Sequence, residues 1–441
     1  MKDKNLKNKK ERNMKRKLFL TMVIGFFFLL FATLGFGESW ILNPKNDNLL
    51  ADLEAKVNQA GGTLVMTLDE VGIAVAEFAT REDAESLEVH GIEVMPDLYV
   101  DWHGSEVPNE YVDSDTLEMA APEATWYYRQ WHIPVIEANK AWDAGEFGAG
   151  VRVAVVDSGI WYPHPDLFTN IDFASSKSFV PGVPDFIDID GHGTHVAGII
   201  AANGTLRAKG IAPQATLIAI KSAEGGGGYM SWIIAGINHA VAVDADIINV
   251  SMGNLLSKSG YYPYYTARDV AMVCRMYTKT ITRAMAEGSL MVFSAGNNAW
   301  NLDHAWELIH VPGECGNGLS VSATGPIGLQ DFDRLASYSN SGNSLVWVAA
   351  PGGDFVLLPT PGWWYDMVYS TYIGGWAWMA GTSQAAPMVC GVAALILSKH
   401  GPMSPGELKN YIANTADDLG KPGHDPSYGR GRVNAYRAVT E

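Results

Sequence analysis

Residues 151–160 read VRVAVVDSGI. Four apolar residues, Val153 to Val156, run into Asp157 and a Ser-Gly turn. A short valine-rich run bounded by turn residues predicts a strand buried on both faces. Three further stretches share the form: ATLIAIK (215–221), ADIINVS (245–251) and SLMVFSAGN (289–297). Helical stretches separate them, and strand–helix alternation predicts a mainly parallel sheet in an α/β fold. Each strand ends on a polar or glycine-rich turn. Ligand chemistry in such sheets collects at the carboxyl ends of the strands, so those turns are where function is expected.

Working outward, the 441 residues are enough for two or three domains, and 47% of them are hydrophobic. The formal net charge of −17 is uneven: residues 1–37 carry +7, residues 38–125 carry −17 and residues 126–441 carry −7. An acidic body argues against nucleic acid, because phosphate binding needs clustered Lys and Arg. A basic stretch ends at Lys17, and residues 18–37 hold no charge. That pattern predicts a signal peptide over 1–37 and a secreted protein. The alternative is an uncleaved anchor, with membrane contact through 18–37. Cys274, Cys315 and Cys390 are too few for a disulfide framework. Cys390 lies in the apolar run PMVCGVAALIL and reads as a buried thiol; a Cys274–Cys315 bridge stays open.

Residues 49–100 read as a small α/β unit. LLADLEAKVNQAG is a helix ended by Gly61-Gly62, TLVMTL and GIAVAEF alternate like strands, TREDAESLEVHG is a helix capped by Thr80, and IEVMPDLYVD is a strand. Residues 104–125 are polar, acidic and without periodicity, which predicts a linker.

Candidate chemistry sits at the turns. Asp157 alone could be a helix cap or turn former. DGHGTHVAGIIAA (190–202) places His192 and His195 on the first turn of a small-residue helix. Zinc is disfavoured, because the glutamate of a helical zinc motif and a third nearby ligand are missing. The positive end of a helix dipole predicts a neutral His192, as a general base requires. Asn297, in SAGNN, can donate an amide hydrogen to a developing oxyanion, or be a plain turn residue. In WMAGTSQAAP (378–387), Thr382 or Ser383 is either an N-cap or, for Ser383, a nucleophile with small neighbours that admit a substrate. Asp157, His192 and Ser383 together supply the three roles of a hydrolytic triad.

Their order, Asp then His then Ser, and the four segments VAVVDSGI, GHGTHVAG, SAGN and AGTSQAAP resemble the subtilisin-like serine proteases, the subtilase family. The resemblance implies a three-layer fold with a mainly parallel seven-stranded sheet, preceded by a small α/β propeptide domain. It implies Asp157, His192 and Ser383 as the triad, Asn297 as oxyanion donor and His195 as structural. It implies that Ser251, Met252 and Gly253 bind an extended peptide from one side and Gly226, Gly227 and Gly228 from the other. The implied divisions are an inhibitor-like propeptide over 38–103, a linker with the processing site over 104–125 and a peptidase domain over 126–441.

Protein or peptide substrates are therefore expected, hydrolysed through an acyl-enzyme by an endopeptidase made as a zymogen. Its own propeptide would serve as inhibitor and folding aid. No cofactor is required for the chemistry. Asp166, in HPDL, matches a calcium ligand of the family, but the partner loop 202–213 looks shortened, which puts that calcium in doubt. Gln384 replaces the methionine usual after the nucleophile, and Trp363-Trp364 is either a packing cluster or a partner surface. Two other functions compete. A silent binding protein on this fold would lack a triad member, and a serine-carboxyl peptidase would need Glu and Asp in place of the DSG and HGTH segments.

Overall fold

The computed structural model describes residues 38–46, 52–101, 110–112 and 129–441. The segment expected to be a signal peptide (1–37) and nearly all of the expected linker lie outside these residues. The chain divides into two compact units, one holding residues 68–73 and 95–441, the other holding the rest.

The larger unit is built on β1 (Arg152–Asp157), β2 (Lys177–Ser178), β3 (Thr216–Lys221), β4 (Ile247–Val250), β5 (Leu290–Ser294), β6 (Leu319–Thr324) and β7 (Val348–Pro351). Their order is β7-β6-β5-β4-β1-β3-β2, and every pairing is parallel. The four stretches quoted above supply the contiguous centre, β5-β4-β1-β3. Four helices matter for function: α1 (His192–Ala201), α2 (Met230–Ala242), α3 (Ala267–Ala286) and α4 (Thr382–His400). Strand side chains alternate between faces. Val153 and Val155 of β1 join the core that contains α1 and α4, whereas Val156 lies against Gly236 of α2. The sheet is therefore the middle of three layers, which explains why its strands read as continuous apolar runs.

Helix α4 is buried without a break from Thr382 to Ile396. A helix apolar on all sides belongs inside a core, and burying each Val, Leu or Ile contributes about 1.5–3 kcal/mol. Pro387 sits inside it. Proline has no N–H, so the carbonyl four residues earlier, that of Ser383, loses its helical donor. Ser251 Oγ donates to that carbonyl instead, at 3.0 Å.

The other unit carries a four-stranded sheet in the order Thr63–Leu68, Ile73–Phe78, Glu38–Pro44, Ile92–Pro96. Its helices are Leu53–Gln59 and Arg81–Glu85, and Thr80 caps the second by accepting from Asp83 N at 3.1 Å. The Glu38–Pro44 strand was not expected from the sequence, yet Trp40, Ile41 and Leu42 are among its most buried residues. The linker expectation is corrected at one point. Glu110–Val112 is a short strand paired antiparallel with Ala377–Met379. Among the described residues no helix is long and apolar enough to cross a membrane.

Candidate active site

Asp157 is the last residue of β1, Ser251 follows β4 directly, and Asn297 lies three residues past β5. Because β1, β4 and β5 are neighbours, one carboxyl edge gathers all three. His192 opens α1, and its Nδ1 lies 2.7 Å from Asp157 Oδ1. Gly193 permits this approach: a Cβ there would stand 2.2 Å from Gly159 O and 3.1 Å from Asp157 Oδ1. Ser158 N also donates to Asp157 Oδ1, at 2.8 Å.

Burial alone would lower the pKa of His192, but the charge and hydrogen bond of Asp157, with Asp190 and Asp188 behind it, raise it to about 9. The expectation of a histidine held neutral by its helix is thus corrected. A helix terminus is worth about 0.3–1 kcal/mol, whereas each pKa unit is about 1.4 kcal/mol, so the carboxylates win. Asp188 was not foreseen. It is buried and accepts from Asp190 N, Gly191 N, Thr194 N and Thr194 Oγ1 at 2.9, 3.0, 2.9 and 2.6 Å, which ties down the start of α1. The DIDG sequence just before His192, with an acidic residue near a helix start, was the available signal.

The second cluster surrounds the start of α4. Asn297 Oδ1 accepts from Thr382 N at 2.9 Å and from Thr382 Oγ1 at 2.7 Å. With the oxygen fixed, the amide Nδ2 is turned toward Gly381, where a Cβ would lie 3.3 Å from it. Thr382 Oγ1 in turn accepts from Gly296 N at 3.0 Å. Ser383 is 8% exposed, and its Oγ donates to Ser251 O at 2.9 Å. Asn249 Nδ2 supports Ser251 Oγ at 2.9 Å, and the buried Cys390 thiol donates to Asn249 Oδ1 at 3.4 Å.

Of the glycines expected to face a peptide, Gly227 and Gly228 lie in a strand, Gly227–Tyr229, while Gly226 stands in the turn before it with φ +87°. That strand is paired antiparallel with Tyr99–Asp101. Ser251, Met252 and Gly253 leave the sheet as irregular chain after β4.

His195 accepts its expected structural place: Nε2 lies 3.2 Å from Val368 O and 3.1 Å from Ala377 O. Trp363 is buried in the core and Trp364 packs against it, so the pair is a packing cluster. Asp166, the calcium candidate, is engaged by donors. Its Oδ1 accepts from Leu206 N at 2.6 Å, and its Oδ2 from Arg207 N, Ala208 N and Trp376 Nε1 at 3.1, 3.0 and 3.0 Å. No group of three or more metal-binding side chains occurs among the described residues.

Comparison with known proteins gives one consistent picture. The model of the subtilase family matches residues 148–431. Subtilisin Savinase of Lederbergia lenta is 35% identical over 312 residues, covering 70% of this chain and 98% of its own. The alkaline protease of Alkalihalobacillus alcalophilus is 32% identical over 384 residues, covering 84% and 86%. The crystal structure of the epidermin leader peptide processing serine protease of Staphylococcus aureus superposes with a TM-score of 0.75 at 22% identity, covering 91% of this chain and 98% of that one.

Proposed function

We propose a function from one established premise: the chain belongs to the subtilase family. It is a subtilisin-like serine protease, a hydrolase of peptide bonds in proteins or peptides. The finer reading is an endopeptidase that works through Asp157, His192 and Ser383. Ser383 Oγ attacks the carbonyl carbon while His192 takes its proton, and the acyl-enzyme forms as His192 returns that proton to the leaving amine. Water then repeats the sequence and frees Ser383. Asp157 holds Nδ1, so the exchange falls to Nε2. The oxyanion would meet Asn297 Nδ2 and the main-chain N–H of Ser383. The observation that carries this reading is the pair of fixed clusters on one sheet edge, Asp157–His192 and Asn297–Thr382–Ser383. Treatment with a fluorophosphonate, followed by peptide mapping, tests it. Modification at Ser383 with loss of proteolysis is expected; modification elsewhere would overturn the assignment.

Production as a secreted zymogen is the second part of the proposal, and a different observation supports it. Tyr99–Asp101 lies on the edge of Gly227–Tyr229, where an extended substrate would add as a strand. Just before it, Asp97 accepts from Ser231 N at 3.1 Å and from Ser231 Oγ at 2.5 Å, at the N-terminus of α2. A segment held this way competes with substrate for the same edge.

A further inference from the structure

Asn340 lies in the connection between β6 and β7 and is fully buried. A carboxamide can accept two hydrogen bonds and donate two, and Asn340 spends all four on one turn. Its Oδ1 accepts from Asn298 N at 3.1 Å and from Trp300 N at 3.0 Å. Its Nδ2 donates to Ala295 O at 2.9 Å and to Asn298 Oδ1 at 3.4 Å. The main chain adds a further bond, from Asn340 N to Gly296 O at 2.9 Å. One residue thus holds positions 295, 296, 298 and 300, and between them stands Asn297.

Gly296 makes room for this grip. Its φ is +92°, in the left-handed region that favours glycine, and a Cβ there would stand 2.5 Å from Asn340 Nδ2. Two main-chain bonds, Ala299 N to Tyr338 O at 2.7 Å and Ser341 N to Trp300 O at 2.8 Å, join the same two segments, but only past Asn297. The Asn340 side chain reaches both sides of it.

The Asn297 amide therefore has two supports from different parts of the fold. Thr382 holds its oxygen and belongs to α4, the helix that carries Ser383. That contact sets which way the carboxamide faces. Asn340 holds the backbone around it, and the backbone sets where the Cα stands. Both are needed to aim Nδ2, because a misplacement of about 1 Å at a reacting centre can cost about 10²-fold in rate.

We propose that Asn340 is a positioning residue for the oxyanion donor: it fixes the main chain on either side of Asn297 and so places the amide that Thr382 orients. The inference rests on the protease reading above, in which Asn297 is that donor, and adds a residue that acts through it. Asn340 itself has no hydrogen-bonding position left for substrate.

A double-mutant cycle tests this. The values of kcat and KM are measured on one peptide substrate for Asn340→Ala and Asn340→Asp, each made in the wild-type chain and in Asn297→Ala. Rates are taken per Ser383 site titrated with a fluorophosphonate, so yields of folding and maturation do not enter kcat. In the wild-type chain, Asn340→Ala should lower kcat about tenfold or more while KM stays within about twofold. Asn340→Asp fits the same space and keeps the acceptor for Asn298 N and Trp300 N, so it should lose less and decides the matter if the alanine variant does not fold. In Asn297→Ala no amide remains to be aimed, so neither substitution should lower kcat by more than about twofold. Equal losses in both backgrounds, a change in KM alone or an unchanged kcat would overturn the positioning role while leaving the protease reading intact. Failure of both variants to label at Ser383 does the same, since Asn340 would then serve the fold and not the donor. An Asn297→Ala chain that keeps the wild-type kcat would overturn the underlying donor assignment, and the proposal with it.

Discussion

Asn297 is held ready because Thr382 takes its oxygen twice, through N–H and through the hydroxyl. The amide hydrogens are useful mainly once the substrate oxygen becomes charged, so the contact belongs to the transition state. Asn297→Ala should lower kcat by about 10²–10³-fold with little change in KM, the loss shown by the oxyanion asparagine of this family. Steady-state kinetics on one peptide substrate checks this, and an unchanged kcat would move the donor elsewhere. Thr382→Val should lower kcat by a smaller factor at constant KM, because the amide stays but loses its orientation, and Thr382→Ser should restore it. His192 sets the pH dependence. Only the neutral imidazole can accept the Ser383 proton; burial lowers its pKa, but the nearby carboxylates outweigh that and raise it to about 9. Activity of the free enzyme should therefore climb through the alkaline range on a limb centred at pH about 9. Asp190→Asn removes one of the charges that raise the pKa, so it should shift the rising limb to lower pH. A wild-type limb centred at the ordinary histidine value would show that the carboxylates do not stabilise the imidazolium.

Helix α3 carries Cys274, whose sulfur lies 3.0 Å from that of Cys315, which follows the strand Leu308–Val311. The hydrogen bond from Cys315 pulls the Cys274 thiol below its ordinary value, against the opposing effect of burial. Oxidised glutathione should close the pair. The Cys274 thiolate displaces one glutathione thiolate to give a mixed disulfide, then the deprotonated Cys315 sulfur attacks Cys274 and releases the second glutathione. The intact mass should fall by about 2 Da relative to reduced protein. Across a separation of 41 residues, the link should stabilise by ~4 kcal/mol at most. Cys274→Ser should abolish both effects, and a wild type that stays fully reduced would rule the link out. Sequence spacing left this pair open because it cannot fix where two thiols meet. The central strands were legible because burial on both faces leaves a continuous apolar run, and the residues proposed as the triad stood out because each sits on a strand end or helix start with its own local pattern. The tie of Thr382 to Asn297 was not legible, since it spans 85 residues and Thr382 alone reads as a cap, whereas Asp188 acts locally on residues 190–194 and was simply overlooked. Glu38–Pro44 was missed because a seven-residue run ending in proline gives too little alternation to identify a strand.

The molecule as a whole keeps several histidines buried and uncharged, and this sets its response to acid. Burial lowers the pKa of His132 and His195 to about 3, helped by the charge of His195 on the first and of His192 on the second. An unfolded chain protonates them near pH 6.5, so between that value and about 3 the unfolded state binds more protons. The contribution of these two should be intact above pH ~6.5 and fall as pH drops, by about 1.4 kcal/mol per pH unit for each histidine, until the folded values are reached. Acid titration followed by circular dichroism checks the direction; constant stability over that window would mean the histidines are not held neutral. The charge distribution bears on maturation. Residues 38–125 carry −17, against −7 for residues 126–441, so most of the acidity lies in the part proposed to be removed. Residues 97–101 already hold the edge proposed for substrate, through Asp97 and the Tyr99–Asp101 pairing. With residues 97–101 anchored there, an intramolecular first cleavage is the expected outcome. Wild type should process itself within 104–125, near Met119 to Thr125, whereas Ser383→Ala should accumulate with the acidic segment still attached. The rate for wild type should not depend on protein concentration, because no second molecule takes part. Intact-mass analysis after expression in a host that lacks other secreted proteases reads both results. Trimming of the alanine variant at the wild-type bond would assign the cut to another enzyme, and a rate rising with concentration would make it intermolecular.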